Sequence, residues 1–429
     1  MTDDLPQVRL AARPALLTLT LATLALVLLA AFLVPWSWVP GGHLVPVPEH
    51  RLFTAAQVAR AEHYARWSRA FGWTSYFLGL AVLLALALTG LGARLLRRLA
   101  GRLRWWLAVP VGALAVTVLS WLVGLPFGLA QRRLDLRSGL THQGLGGWFG
   151  DQGRGLLVTW LVTALLLVVL TGVARRSPRW WFAWAGAAAL VLTLLGSFLY
   201  PVLVEPLFNR FTPMPAGPLR SQILHLARVE GVHVDDVLVA DASRRTTTVN
   251  AYVSGFGDTR RVVVYDTLLT QLPPAQVRVV VAHELGHARH DDVLLGTGLG
   301  AVGSVAGVAL LALLLDRPGL RRRAGISGPG DPAAVVLVLA LVGLGGFLAS
   351  PLQNTVSRAI ETRADRASLE ATHQGTVFVR MQKQLALASL ADPSPPWLSQ
   401  LWWGSHPTAL QRAGLPASLA AARHAGGSR

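Results

Sequence analysis

The sequence has no cysteine and only one lysine, Lys383, among its 429 residues. The absence of cysteine excludes disulfide bonds, a cysteine nucleophile and any cysteine-ligated metal site. Charged residues are also scarce, at 14%, whereas hydrophobic residues make up 52% of the chain. This composition is not typical of a soluble globular domain, and it restricts any metal site to histidine and carboxylate ligands.

The basic residues are almost all arginines, and they give the chain a formal net charge of +17. An excess of positive charge is typical of proteins that bind either nucleic acid or the surface of an anionic membrane. The arginines cluster at the ends of apolar runs, for example at 94–104 and 321–323, which is the pattern of sequence that flanks membrane spans. We therefore expect the lipid bilayer as a partner and no nucleic acid.

Seven apolar runs are long enough to cross a membrane, because about twenty helical residues span ~30 Å of hydrocarbon. They lie at 16–35, 75–96, 105–127, 155–174, 180–203, 293–315 and 333–352. Tryptophans, and no small-residue cleavage site, follow the first run, which favours a membrane anchor over a signal peptide. The sequence predicts a mainly α, multi-pass protein of the cell membrane, with a further helix at the membrane surface over 54–70.

The chain divides into four predicted regions. They are an N-terminal membrane domain with five spans (1–204), an inserted region (205–292), two further spans (293–352) and a helical C-terminal region (353–429). Within the insertion, the segments VDDVLVADAS, TTTVNAYVSG and RRVVVYDTLL are rich in Val, Thr and Tyr and are interrupted by Gly and Asp, so we expect short strands. Pro273 and Pro274 then mark the start of a helix.

That helix carries the sequence His283-Glu284-Leu285-Gly286-His287. Residues four apart lie on one helical face, so both imidazoles can bind a single cation, and zinc is the ion that this HExxH pattern typically holds. Glu284 is placed to accept a proton from a water molecule that the metal activates. A five-residue motif with three fixed positions also occurs by chance, so the prediction of a zinc site depends on finding a third ligand.

A carboxylate from a second helix can supply the third ligand. One group of zinc proteases has a third histidine six residues after the second, but Val293 occupies that position here. The segment SRAIETRAD offers Glu361 and Asp365, four residues apart on one helical face. The alternative interpretation of this segment is a solvated helix with charged pairs four residues apart.

With these motifs, the chain resembles the type I CAAX prenyl endopeptidases, a family of membrane-integrated zinc metalloproteases, and their bacterial relatives. Five segments carry the resemblance, in the order of the family: LPFGLAQRRLDLRSGLTHQGLGGWFGDQ (125–152), which is similar to a loop after the third span, EPLFNRFTPM (205–214), VNAYVSGFGDTRRVVVYDTLL (249–269), SRAIETRAD (357–365) and SHP (405–407).

The resemblance implies a fold and a ligand set. The fold is about seven transmembrane helices enclosing a chamber, with a small α+β zincin-like domain in the insertion, which the C-terminal region completes. The ligand set is one Zn²⁺ held by His283, His287 and Glu361, with Asp365 hydrogen-bonded behind the ligands. By the same resemblance the protein is a zinc endopeptidase that hydrolyses peptide bonds in a peptide or protein substrate.

Two further residues have weaker assignments. His406 can donate to the oxyanion that forms during hydrolysis, although a histidine beside a proline is often structural. Asn250 is expected on a strand near the zinc, where an edge strand can bind an extended peptide through its main chain. The alternative for Asn250 is an ordinary turn asparagine.

The substrate and the rival functions stay open at this point. The resemblance implies cleavage of CAAX-type C-termini, but eukaryotic members resemble HExxHWxxxH, and Asp292 stands at the last position of that pattern. Quality control of membrane proteins is the alternative. A transporter and a non-catalytic zinc-binding scaffold are the rival functions, and the hydrolytic residues outside the spans, with Glu284 intact, argue against both.

The arginines also predict an orientation. Fourteen lie on the side of the N-terminus and of the loops after spans two, four and six, against eight in the short loops on the other side. The positive-inside rule then places the N-terminus in the cytoplasm and the zinc domain outside. The family resemblance implies the reverse orientation.

Overall fold

The computed structural model describes residues 10–255 and 257–426, so the outermost residues of the first and last predicted regions lie outside the described ranges. The helices of the N-terminal half are α1 (Ala12–Leu33), α2 (Glu49–Leu52), α3 (Ala55–Leu88), α4 (Leu91–Ala100), α5 (Trp105–Ser138), α6 (Leu145–Arg176), α7 (Trp181–Leu203) and α8 (Glu205–Phe208).

The inserted region contains β1 (Phe211–Pro213), α9 (Pro218–Val229), β2 (Asp236–Ala240), β3 (Ala251–Ser254), β4 (Arg261–Tyr265), α10 (Asp266–Gln271) and α11 (Pro274–Arg289). The remaining helices are α12 (Asp292–Leu315), α13 (Pro318–Ala324), α14 (Val335–Thr372), α15 (Gly375–Ser389), α16 (Trp397–Trp403) and α17 (Ala409–Gly426). The predicted fold class, mainly α with a small α+β part, is confirmed.

Seven helices in the described residues are long and apolar enough to cross a membrane, which confirms the predicted number. They are α1, α3, α5, α6, α7 extended by α8, α12, and α14 with the turn before it. Their apolar side chains share one core, in which Trp181 and Phe182 of α7 are among the largest fully buried residues. The protein is therefore a membrane protein with several spans.

The prediction for the second span, 75–96, was wrong at its end, whereas the helix predicted over 54–70 is present as the first part of a longer helix. Helix α3 starts after the N-cap Thr54 and runs without a break to Leu88, and the last residues of the predicted span belong to α4. Gly90 then adopts a left-handed conformation (φ 69°), which ends the helix. A Cβ atom there would lie 3.1 Å from the carbonyl oxygen of Arg323, so glycine also permits a close approach of two chain segments.

The segment 125–152, which is similar to a family loop, is mostly helical. Helix α5 continues through Pro126 as far as Ser138, and α6 begins at Leu145. Only 139–144 connects them. Proline inside a membrane helix is tolerated when neighbouring helices satisfy the freed backbone groups, which is why Pro126 does not end α5.

The loops after spans two, four and six meet at one end of the molecule. Arg97 of α4 pairs with Asp331 at 2.9 Å and donates to the carbonyl oxygen of Gly325 at 2.7 Å. Arg175, at the end of α6, donates to the carbonyl oxygen of Gly330 at 3.2 Å. The inserted region and the C-terminal helices lie at the opposite ends of the spans.

The insertion folds around a four-stranded sheet with the order β1-β2-β4-β3. Strands β2 and β4 are parallel, whereas β1 and β3 pair antiparallel at the two edges. The three predicted strands correspond to β2, β3 and β4, and β1 is additional. Helix α11 packs on this sheet, with Val281 and Leu285 fully buried beside Val262 and Val264. The sheet therefore fixes the position of the helix that carries the HExxH motif.

Candidate metal centre

Helix α11 and helix α14 approach each other closely at the motif. Pro274 starts α11 at its first position, where its missing N–H is no loss. A Cβ atom at Gly286 would lie 3.0 Å from the Cβ of Ala367 and 3.4 Å from the Cα of Ala364, both on α14. Glycine in the middle of α11 costs about 1 kcal/mol relative to alanine, and in return it lets α14 bring its polar face against the two histidines.

Three side chains converge between these helices. Nε2 of His283 lies 3.1 Å from Nε2 of His287 and 3.2 Å from Oε2 of Glu361. Nε2 of His287 lies 3.6 Å from the other oxygen of Glu361. The ligand atoms of the three residues all lie within 4.8 Å of one another, so one cation could contact all three.

A carboxylate and an arginine stand behind each imidazole. Nδ1 of His283 lies 2.9 Å from Oδ1 of Asp365, and Arg412 contacts both oxygens of Asp365, at 2.5 and 2.8 Å. A carboxylate in this position can fix the orientation and the tautomer of a metal-binding histidine.

The second imidazole has an equivalent pair of partners. Nδ1 of His287 lies 2.8 Å from Oδ2 of Asp292, and Arg363 pairs with the other oxygen of Asp292. The ring of Trp38, from the segment after α1, lies under the guanidinium of Arg363 at 5.9 Å. The segment after the first span thus contacts Arg363, the partner of the carboxylate that lies behind His287.

These surroundings fit a metal ion. In the neutral tautomer that carries its proton on Nδ1, toward the carboxylate, each imidazole can present the lone pair of its Nε2 atom to a cation. Oε2 of Glu361 is buried and has no hydrogen-bond donor among the described residues. Burial opposes a charge on His283, but Asp365 and Glu361 outweigh it and raise the pKa of His283 to about 10. The centre therefore stabilises positive charge, and two imidazoles with one carboxylate are a set that zinc accepts.

Glu284 lies beside the cluster and faces an internal cavity of about 1510 Å³. The cavity is lined mainly by aliphatic residues of α1, α6, α7, α12 and α14, so five of the seven spans contribute to it. His287 also lines it. Burial raises the pKa of Glu284, which suits a carboxylate that must take up and release a proton near neutral pH.

The structure also brings His406 to the cluster. Its Nε2 lies 3.2 Å from Oε1 of Glu361, and its side chain is 56% exposed, the most accessible of the groups around the cluster. Arg358 of α14 donates to the carbonyl oxygens of Gln400 and Gly404, at 3.0 and 2.6 Å. Gln400 in turn donates to the carbonyl oxygen of His406, so these contacts hold the His406 loop against α14.

Asn250 lies just before the edge strand β3, and the structure does not bring its side chain to the cluster. Its amide oxygen accepts a hydrogen bond from the backbone N–H of Ala251 at 3.0 Å. The residues that line the cavity include Tyr252 and Val253 but not Asn250. The feature that borders the cavity is therefore the strand itself.

Sequence reasoning missed four residues of this centre: Asp292 as a partner of His287, and Arg358, Arg363 and Arg412. Arg358 and Arg363 lie inside the SRAIETRAD segment, two to three residues from Glu361, which is a signal that could have indicated them. Arg412 is 47 residues from Asp365, and no local pattern connects them.

A buried His-His-Glu cluster beside a glutamate, inside a multi-span helical protein, defines the class of membrane metallopeptidases. Comparisons with known proteins agree with this class. Residues 213–414 match the family model of peptidase family M48, and residues 42–210 match that of the CAAX prenyl protease N-terminal region, described as five membrane helices. The chain therefore belongs to the CAAX prenyl protease family within peptidase family M48, as the sequence motifs predicted.

Individual relatives support the assignment. The uncharacterized metalloprotease YhfN of Bacillus subtilis is 29% identical over 299 residues, which cover 69% of this chain and 70% of the relative. The human CAAX prenyl protease 1 homolog is 25% identical over 344 residues, covering 70% and 71%. The crystal structure of S. mikatae Ste24p has the same fold, with a TM-score of 0.77 over 94% of this chain and 98% of that one, at 18% identity. The protein is a membrane metalloendopeptidase.

Proposed function

We propose that this protein is a zinc endopeptidase whose single metal ion binds His283, His287 and Glu361. The observation that carries the proposal is the convergence of three acceptor groups, with atoms within 4.8 Å of one another, at the wall of a cavity that Glu284 also lines. A bound zinc ion would polarise the scissile carbonyl group and make a water molecule acidic enough to attack at neutral pH.

The protein's own groups then move the proton. Glu284 accepts the proton of the attacking water and gives it to the leaving amine, which requires a carboxylate with a raised pKa, as burial provides here. Asp365 and Asp292 keep the two imidazoles oriented from behind. His406, accessible and 3.2 Å from Glu361, is placed to donate a hydrogen bond to negative charge that forms next to the cluster.

We assign substrate binding to the free edge of β3 rather than to the side chain of Asn250. Strand β3 pairs only with β4 in the described sheet, and Tyr252 and Val253 lie at the wall of the cavity. An extended peptide can add to such an edge through main-chain hydrogen bonds. Asn250 contributes indirectly, because its side chain holds the first N–H of the strand.

The cavity favours a substrate with an apolar or lipid-modified part. Its walls are aliphatic side chains of five spans, and it reaches from the membrane region to Glu284. Both substrate classes left open by the sequence fit this description: a CAAX-type C-terminus with its lipid, as the names of several relatives state for those proteins, and an apolar segment of a membrane protein.

Cleavage assays on the purified protein test the proposal. We expect cleavage of an unstructured membrane-anchored peptide, loss of cleavage after metal chelation, and recovery after addition of zinc. A farnesylated CAAX peptide and its unmodified counterpart, compared with a peptide from a transmembrane segment, distinguish the two substrate classes. Cleavage that persists at full rate after complete removal of metal would contradict the proposal.

A further inference from the structure

The end of the molecule opposite the metal centre carries a concentration of positive charge that the proposed peptidase reaction does not use. The three loop segments that meet there, 89–104, 175–180 and 316–331, contain twelve arginines and two aspartates. Three of the arginines, Arg97, Arg175 and Arg321, bind protein groups through their side chains. The other nine are exposed and make no side-chain hydrogen bond or ion pair within the described residues.

Four of the unpaired arginines lie on α4 and the turn after it: Arg94, Arg98, Arg102 and Arg104. Helix α4 is short and strongly amphipathic, and it connects the spans α3 and α5 through Gly90 and the turn 101–104. Because both neighbours cross the membrane, α4 lies at the membrane surface. Its buried face, formed by Gly92, Ala93, Leu96 and Ala100, packs on the ends of the spans.

The exposed face of α4 consists of two rows. Arg94 and Arg98 are four residues apart and form the basic row, which Arg102 continues into the turn. Leu91, Leu95 and Leu99, also four residues apart, form an apolar row beside it, and they are 42%, 46% and 60% exposed. A helix in the plane of a bilayer interface has this arrangement, with apolar side chains toward the acyl chains and arginines level with the headgroups.

We infer that this surface binds acidic phospholipids, with phosphate groups against the unpaired arginines and acyl chains against the leucine row. Only a lipid supplies an anion and an apolar chain side by side at this depth. The planar guanidinium group suits phosphate oxygens through paired hydrogen bonds. Of the two aspartates, Asp331 already accepts from Arg97 and from the backbone of Ser327. Within the described residues neither aspartate pairs with any of the nine arginines, so protein groups do not neutralise them.

Lipid binding by this surface depends on the lipid composition of the membrane and is independent of the peptidase reaction. A juxtamembrane arginine contributes about a fivefold change in affinity for an anionic surface. Replacing three of them together should therefore weaken binding of an acidic lipid on the order of 100-fold. Binding of a zwitterionic lipid should not change, because its headgroup has no net charge.

Native mass spectrometry of the full-length protein in detergent, titrated with phosphatidylglycerol or phosphatidylcholine, tests the inference. The test variant is Arg94→Gln/Arg98→Gln/Arg102→Gln. The matched control is Arg51→Gln/Arg66→Gln/Arg137→Gln. It removes three exposed arginines from the other end of the spans, and their side chains have no partner in the part of the chain that the structure describes. We expect the test variant to lose phosphatidylglycerol binding and the control variant to keep it. A further variant, Arg97→Gln, removes the contact to Asp331, and we expect it to lower thermal stability in both lipids.

Three results would overturn the inference. The first is unchanged phosphatidylglycerol binding in the test variant. The second is an equal loss in the control variant, which would show that net charge alone is responsible. The third is displacement of phosphatidylglycerol by millimolar inorganic phosphate, which would show an anion site without a lipid. A circular dichroism spectrum and a melting temperature like those of the wild type establish that the test variant is folded.

Discussion

At the scale of single residues, the two carboxylates of α14 have different positions relative to the metal cluster. Glu361 points an unpaired oxygen at the histidines, whereas Asp365 lies behind His283 and is held by Arg412. We predict that Glu361→Ala lowers both zinc content and activity, because one of three ligands is lost. Asp365→Ala should be milder, with a loss of about 10- to 100-fold. Metal analysis of both variants checks this, and full zinc occupancy in Glu361→Ala would contradict the ligand assignment.

Asp292 is the residue whose role depends most on the structure. It accepts from His287 with one oxygen and from Arg363 with the other. We predict that Asp292→Asn reduces zinc affinity or kcat by about 10- to 100-fold without unfolding the protein, since the amide can keep one hydrogen bond but loses the charge. Arg260→Gln is a control, because it affects a neighbouring but more exposed pair, with Asp291. Equal zinc affinity and kcat in wild type and Asp292→Asn would refute this role.

At the scale of elements, the contact between α11 and α14 depends on Gly286. A Cβ atom there would be 3.0 Å from Ala367, whereas a Cβ atom at Gly298 of α12 meets nothing within 4 Å. We predict that Gly286→Ala destabilises the protein by about 1–3 kcal/mol through overpacking. Gly298→Ala should be neutral or stabilise by about 0.5–1 kcal/mol, since alanine is the better helix former. Melting temperatures of the two variants, measured in the same detergent, check this prediction. Similar values would contradict it, because they would show that α14 can move away to accept a Cβ atom at position 286.

The elements also show what the sequence can and cannot predict. The seven apolar runs and the three strands were predictable because each is a local pattern of hydrophobicity. The end of α3 was not, because the left-handed Gly90 lies inside an otherwise apolar run. The roles of Arg363 and Arg412 were not predictable either, because their partners Asp292 and Asp365 are 71 and 47 residues away in the sequence. The substrate-binding role predicted for Asn250 stays a prediction, and its side chain accepts a hydrogen bond from the backbone N–H of Ala251.

At the scale of the whole molecule, the metal cluster and the arginine-rich loops lie at opposite ends of the spans. The arginine distribution predicts that the metal domain is outside and the loops are in the cytoplasm. Single cysteines at Ser221 on α9 and Ser327 after α13, both exposed, can be introduced cleanly because the chain has no cysteine. A membrane-impermeant thiol reagent applied to intact cells should label Ser221→Cys and spare Ser327→Cys. The reverse pattern would establish the orientation that the family implies.

The central claim is that a metal centre of His283, His287 and Glu361 hydrolyses peptide bonds with Glu284 as the base. Replacing Glu284 with glutamine keeps its size and leaves the three ligands in place. Zinc content and peptide cleavage, measured on the same purified preparations of wild type and Glu284→Gln, test the claim directly. We predict one zinc ion per chain in both proteins and cleavage by the wild type alone. Cleavage by the glutamine variant, or loss of its zinc, would contradict the account.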